Sequence, residues 1–162
     1  MKKTLRRVIK AEPNLDGLLR EQPYQAKQSD AYATDLLPGD SISPVEWAHS
    51  IFTIESMPWL VRKLMSLRDK LVRPFGLKTT DAIESPPYTG FPIILESSEE
   101  IILGLDDKHL SFRVSIWIKN DRVIITTIVK THNWLGRCYW AIVRILHPYI
   151  VRACLKKVST LN

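Results

Sequence analysis

Acidic, basic and imidazole side chains lie close together in the segment DDKHLSFR, residues 106–113. Asp106, Asp107 and His109 are of the types that act as acid–base groups or metal ligands. The alternation of the following strand, however, places His109 and Arg113 on the face opposite its large apolar residues. We therefore expect the two aspartates to form a turn and Arg113 to pair with an acidic neighbour.

Other groups that carry chemistry are isolated in the sequence. The cysteines, Cys138 and Cys154, lack the signature of an activated nucleophile, and the glycines occur singly, without a phosphate-binding loop. The sequence therefore predicts no metal, no cofactor and no enzyme of a recognised motif class. The histidines show no metal-ligand spacing; they are His49, His109, His132 and His147.

Two polar residues of the last periodic segment are candidates for contacting a ligand. His147 directly precedes Pro148, and we favour a structural histidine that donates to a backbone carbonyl over a catalytic base. Tyr139 lies on the apolar side of the same segment. Either residue would orient a ligand, or act as acid or base if the protein is an enzyme.

A polar cluster, THNWLGR (131–137), begins the same helix. Free N–H groups at a helix N-terminus favour an anion, so Asn133 and Arg137 are candidates for binding a carboxylate or phosphate. The alternative, which we favour, is ordinary capping with Asn133 as the N-cap.

The elements that position these residues begin with two helices. Ser43 is a suitable N-cap, Pro44 fits the first helical position, and Glu46 completes a capping box. A second amphipathic helix begins near Pro58 and ends at Pro74. Before the helices we expect a basic and polar, weakly ordered arm at 1–27, in which one short helix could form.

Five segments have strand character, and a non-periodic loop at 77–90 is a candidate lid. The last four segments follow each other as an antiparallel meander. The predicted strands are 29–37, 91–96, 100–106, 109–119 and 122–131.

The Asn120-Asp121 pair predicts a two-residue turn that places Lys119 opposite Arg122. From there one face of the hairpin is apolar, and we expect it to be the core. Its predicted pairs are Ile118–Val123, Ile116–Ile125, Val114–Thr127, Phe112–Val129 and Leu110–Thr131. The opposite face is mixed and is expected to meet water or a partner, including a second copy through Trp117, Ile124 and Ile128.

The terminal helix is amphipathic, with a kink expected at Pro148. It is not predicted to span a membrane, because its arginines and His147 would lie in hydrocarbon. The predicted inward positions are Tyr139, Ile142, Val143, Leu146, Ile150, Cys154 and Leu155, and the predicted outward ones are Arg137, Arg144, Arg152 and Lys156.

Length and composition are typical of one globular domain, which we place at residues 28–162. The chain has 162 residues, 45% hydrophobic and 25% charged, with a net charge of +6. Cys138 and Cys154 would lie about 24 Å apart along one helix, too far for a disulfide, so we expect reduced thiols and a cytoplasmic protein. No dense basic cluster with aromatic residues is present, and nucleic-acid binding is not expected.

Three segments resemble the bacterial DUF2867 family: PWLVRKLMSLRDKLVRPFGLK (58–78), GLDDKHLSFRVSIWI (104–118) and TIVKTHNWLGRCYWAIVRILHPYIV (127–151). The element order, a strand, two helices, a meander and a long helix, is similar to the helix-grip fold of the START-related and Bet v 1-like (SRPBCC) superfamily. That resemblance implies an α+β fold in which the sheet curls around the last helix and the space between them often holds a ligand.

The resulting hypothesis is a helix-grip protein that binds a small, largely apolar molecule between sheet and terminal helix. An enzyme (cyclase, isomerase or hydrolase) in the same cavity, and a homodimeric interaction module, are the alternatives. The expected lining residues are Trp47, Phe52, Phe112, Val114, Ile116, Tyr139, Val143, Leu146 and His147.

Overall fold

The computed structural model describes residues 6–22, 28–52, 59–72 and 91–158. Within these ranges the chain is an α+β protein with three α-helices and six β-strands, and a 3-10 turn at Leu18–Glu21. In chain order the elements are β1 (Val8–Ala11), β2 (Ser29–Asp35), α1 (Pro44–Phe52), α2 (Trp59–Val72), β3 (Ile93–Glu96), β4 (Glu100–Leu105), β5 (Leu110–Lys119), β6 (Arg122–Thr131) and α3 (Trp134–Lys157).

The six strands form one open antiparallel sheet in the order β1-β2-β6-β5-β4-β3. Strands β3 to β6 form the predicted meander, in which each strand pairs with the next. Strand β2 pairs with β6 although the two helices and three strands separate them in sequence. The connection from β2 to β3 contains α1 and α2. It takes the chain from β2, near one edge of the sheet, to β3 at the opposite edge.

The β5–β6 hairpin has the predicted register. Asn120 and Asp121 have φ angles of 51° and 55°, as a two-residue turn of this kind requires. Lys119 lies opposite Arg122, and the side chains alternate between the two faces from there. The apolar pairs are those predicted: Ile118–Val123, Ile116–Ile125, Val114–Thr127, Phe112–Val129 and Leu110–Thr131.

One face of the sheet forms the main core with α1 and the end of α3. Helix α1 begins at Pro44 as predicted and buries Trp47, Ala48 and Ile51. The indole N–H of Trp47 donates to the carbonyl of Ser41 at 2.9 Å, so burial leaves no polar atom unpaired on this side chain. The sheet contributes Tyr32, Ile101, Leu103, Val114, Ile116, Val123 and Ile125.

Helix α2 also agrees with its prediction, since its described residues begin at Trp59. Leu64, on the predicted apolar stripe, is buried, and α2 contacts α3. The boundaries predicted at Pro58 and Pro74, and the candidate lid at 77–90, lie outside the described residues.

The N-terminal arm, predicted as weakly ordered, takes part in the fold where it is described. Strand β1 pairs with β2 and forms one edge of the sheet, and the 3-10 turn lies against β4 and β5. This corrects the expectation for residues 6–22. The physical reason is that β1 gains its hydrogen bonds from a partner strand, which local sequence patterns do not reveal.

The second face of the sheet lies under this N-terminal segment. Leu19 is buried and packs with Ile102 and Ile128. Trp117 and Ile128 are only 8% and 1% exposed, and Ile124 is half-buried. The face predicted to meet water or a second copy is thus covered largely by the chain itself, and a dimer through it would require the segment to move away.

Candidate functional site

Helix α3 packs into the core with its C-terminal half. Cys154 and Leu155 are buried in the main core. Tyr139 and Val143, in the N-terminal half, and Leu146, at the middle of the helix, are only half-buried. The predicted packing of α3 across the sheet is therefore complete at one end of the helix and partial at the other.

A close backbone contact sets the position of the N-terminal half. A Cβ added to Gly136 would lie 1.9 Å from the carbonyl oxygen of His109, so only glycine permits this approach. The amide of His132 donates to the same oxygen at 2.9 Å. The start of α3 is thereby held beside the start of β5, which is the end of that strand that carries Phe112.

Three aromatic rings occupy this end of the core. Phe91 makes edge-to-face contacts with Phe52, at a centroid distance of 5.6 Å, and with Phe112, at 5.3 Å. All three are half-buried and pack against the edge of the main core. We call Phe52, Phe91 and Phe112 the aromatic triad. Phe91 was not among the predicted lining residues. It was predicted as the first residue of the strand at 91–96, but the observed β3 begins only at Ile93.

The predicted lining residues separate into two groups. Trp47, Val114 and Ile116 are buried in the main core, where they are 2%, 7% and 0% exposed. Their lining of a ligand site stays a prediction. The half-buried group is Phe52, Phe112, Tyr139, Val143, Leu146 and His147.

His147 pairs with a carboxylate instead of the predicted backbone carbonyl. Its Nδ1 lies 2.8 Å from Oδ2 of Asp30, and the two side chains are 14% and 25% exposed. Because a carboxylate only accepts, Nδ1 donates, and in a neutral ring Nε2 is left as an acceptor. The ring of Trp140 makes an edge contact with the imidazole at 5.9 Å.

A second contact between α3 and β2 lies next to this pair. The guanidinium of Arg152 sits over the ring of Tyr32, 5.3 Å from its centroid. Burial raises the pKa of the Tyr32 hydroxyl, the negative charge of Asp30 raises it further, and Arg152 opposes both. Tyr32 therefore stays protonated at neutral pH and can serve as a hydrogen-bond donor.

The start of α3 is capped by the side chain of Asn133, the residue before the helix. The oxygen of Asn133 accepts from the amide of Gly136 at 3.0 Å, and its Nδ2 lies 2.6 Å from Nδ1 of His109. Capping, the favoured alternative, is confirmed, and Arg137 is exposed. Anion binding by Asn133 and Arg137 stays a prediction, and no contact in the described residues adds to it.

The DDKHLSFR segment forms a structural ion pair, as predicted. Arg113 is buried and donates to both carboxylate oxygens of Asp106, at 3.1 and 2.8 Å. Its Nε donates to the side-chain oxygen of Gln22 at 2.8 Å, which ties the N-terminal segment to β5. Among the described residues, no three His, Cys, Asp or Glu side chains are grouped to hold a metal ion.

These features define an α+β protein with a six-stranded antiparallel sheet. Its long terminal helix packs into the core near the C-terminal end of the helix, and a half-buried apolar region lies near the N-terminal end. The family model "Protein of unknown function (DUF2867)" matches residues 25–154, and the chain belongs to this family. No curated protein and no solved structure matches the chain. In the described part of the chain, no helix has both the length and the apolarity needed to cross a membrane.

Proposed function

We propose that this protein binds a small, largely apolar molecule between the aromatic triad and the N-terminal half of α3, in a fold of the helix-grip type. The observation that carries the proposal is the unequal packing of α3. Val151, Cys154 and Leu155, near its C-terminal end, are buried in the core, whereas Tyr139, Val143 and Leu146 are only half-buried. Sites for apolar ligands are lined in this way, by apolar and aromatic side chains with few polar groups.

The polar groups needed to orient a ligand are also present. His147 is fixed by Asp30, and Tyr139 lies two turns before it on the same helix. The topology supports the helix-grip assignment, because the first long strand pairs with the last one and the terminal helix packs on the resulting sheet. A cytoplasmic location is part of the same proposal, and the two free cysteines support it.

The test is binding of N-phenyl-1-naphthylamine, a neutral apolar dye that fluoresces strongly out of water. We expect the wild-type protein to enhance its fluorescence and Val143→Trp to abolish the effect, because the larger ring would occupy the space. Ile145→Trp is the matched control, since Ile145 is on the opposite side of the helix and 65% exposed. Native mass spectrometry of the purified protein would reveal a co-purified ligand.

A dye signal that Val143→Trp leaves unchanged would rule out this site. So would the absence of dye binding together with a native mass spectrum of bare protein only.

The pair of His147 and Asp30 favours one alternative, an enzyme that uses the same space. Asp30 fixes the ring tautomer and leaves Nε2 as the acceptor, which is the state of a general base. We would screen p-nitrophenyl esters of increasing chain length. Catalysis would be supported if His147→Gln and Asp30→Asn each lower turnover by at least tenfold. His132→Gln, at an exposed histidine, is the control. Equal turnover in all variants would exclude catalysis.

A further inference from the structure

The outward side of α3 is apolar over most of its length. Trp134, Ile142, Ile145 and Tyr149 are 66%, 49%, 65% and 69% exposed, and Cys138 is exposed between them. With 3.6 residues per turn, these five side chains lie within about 40° of a common direction and extend over about 22 Å. We call them the outer stripe.

Packing among the described residues does not account for the outer stripe. Ile142 was predicted to face inward but is 49% exposed, whereas Ile150, Cys154 and Leu155 lie on the side of α3 that enters the core, as predicted. Single exposed apolar residues are common on protein surfaces, whereas a continuous row that includes tryptophan and tyrosine marks an interaction surface.

The charge of the helical layer is strongly positive. Helix α3 has five basic residues and no acidic one, a net +5, and its neighbour α2 has four basic residues and one acidic residue, a net +3. Because the whole chain carries +6, the remainder carries −2. Positive charge is therefore concentrated on α3, which presents the outer stripe, and on α2, which contacts α3.

The basic residues border the outer stripe. Arg137 and Arg144 are exposed and lie along one margin, about 100° and about 120° from the centre of the stripe by helical geometry. Lys156 is exposed and continues its line beyond Tyr149, whereas the guanidinium of Arg152 lies over the ring of Tyr32. An apolar row with basic margins is the pattern of a helix that lies in the interface of an anionic membrane.

We propose that the protein docks on anionic lipid bilayers through the outer stripe of α3. Trp134 and Tyr149, near the two ends, have the amphipathic rings that favour the headgroup level, and Ile142 and Ile145 would enter the acyl boundary between them. Arginines along the margin would contact lipid phosphates. A second copy is a poorer occupant, because packing two outer stripes together would bring two helices of net +5 into contact.

The proposal is independent of the apolar ligand site, since the outer stripe and Val143 lie on opposite sides of the helix. It predicts that the full chain floats with vesicles of phosphatidylcholine that contain about one-third phosphatidylglycerol, and not with phosphatidylcholine alone. Binding should weaken at high salt. On anionic vesicles the fluorescence of Trp134 should shift to the blue, and Trp134→Phe should remove that shift.

Two double variants separate the apolar and the charged contributions. Ile142→Ser with Ile145→Ser should lower the vesicle partition coefficient by at least about tenfold. Arg137→Gln with Arg144→Gln should lower it by about 10- to 30-fold and reduce its salt dependence. The matched controls are Ile42→Ser, at a 78% exposed isoleucine far from α3 in sequence, and Lys10→Gln with Arg20→Gln, two exposed cations of the N-terminal segment. We expect both controls to bind like the wild type or within a few-fold of it.

Three results would overturn the proposal. The first is a wild-type protein that stays unbound with anionic vesicles. The second is binding that the Ile142 and Ile145 substitutions leave unchanged. The third is a dimer by light scattering that Ile145→Ser dissociates, because a second copy of the chain would then cover the outer stripe. Circular dichroism of each variant distinguishes loss of binding from loss of folding.

Discussion

The two cysteines lie on the same helix in opposite environments. Cys138 is exposed, whereas Cys154 is buried in the core, and burial raises the pKa of its thiol to about 11 against the opposing charge of Lys157. Because the thiolate is the reactive form, we expect Ellman's reagent at pH 8 to modify one thiol per native chain and two in urea. The Cys138→Ser variant should show no reaction until it is denatured. Rapid reaction of both thiols in the folded protein would contradict the placement of Cys154.

The same thiol makes stability depend on alkaline pH. In the unfolded chain Cys154 ionises near 9.0, but in the folded protein only near 11. The contribution of the Cys154 thiol to the free energy of unfolding is complete below pH 9. It is lost as the pH rises towards 11, because the unfolded state releases the thiol proton first. The loss is at most about 2 to 3 kcal/mol. Cys154→Val should remove this part of the decline in the free energy of unfolding, measured against wild type from pH 8 to 11.

At the scale of elements, the N-terminal segment is expected to stabilise the sheet. Leu19 is 4% exposed between Ile102 and Ile128, whereas Leu15 in the same segment is 41% exposed. Leu19→Ala should lower the free energy of unfolding by about 2 to 3 kcal/mol, and Leu15→Ala by less than about 0.5 kcal/mol. Urea unfolding followed by tryptophan fluorescence measures both, because Trp117 lies on the covered face. Equal effects of the two substitutions would mean that the segment does not hold its place on the sheet.

Elements with local signals could be predicted from the sequence. Helix α1 begins at its proline, and the hairpin turns at two residues that tolerate positive φ, so their bounds and register agree with the prediction. Strand β1 could not be found in this way. It has only four residues, Val8–Ala11, and its hydrogen bonds come from β2.

The candidate site was predictable in part for the same reason. His147 stands out in an apolar helix, but its partner Asp30 is 117 residues away and nothing in the sequence joins them. The apolar pattern of α3 also did not predict fully which of its side chains face the core. Because apolar residues lie on most sides of that helix, the pattern did not separate Ile142, which is exposed, from Val143, which is half-buried.

At the scale of the whole molecule, one buried cation joins parts of the chain that are far apart in sequence. The Nε of Arg6 donates to the carbonyl of Val158, just past α3, at 2.6 Å, and its Nη1 donates to the carboxylate of Asp40 at 2.7 Å. Its guanidinium also lies 4.9 Å from the ring of Trp47. The Arg6 and Asp40 side chains are 1% and 3% exposed. The N-terminal segment, the loop after β2, α1 and the end of α3 therefore meet at one residue.

Substitution of this cation should destabilise the whole fold. Arg6→Met leaves the buried carboxylate of Asp40 without its partner, which should lower the free energy of unfolding by about 3 to 5 kcal/mol. Arg122→Met is the matched control, because the ion pair of Arg122 with Asp35 is 51% and 64% exposed and should contribute no more than about 1 kcal/mol. Adding Asp40→Leu to Arg6→Met should recover part of the loss, since no unpaired charge remains buried. Urea unfolding of the four proteins measures these differences; if Arg6→Met costs no more than Arg122→Met, Arg6 does not hold these parts of the chain together.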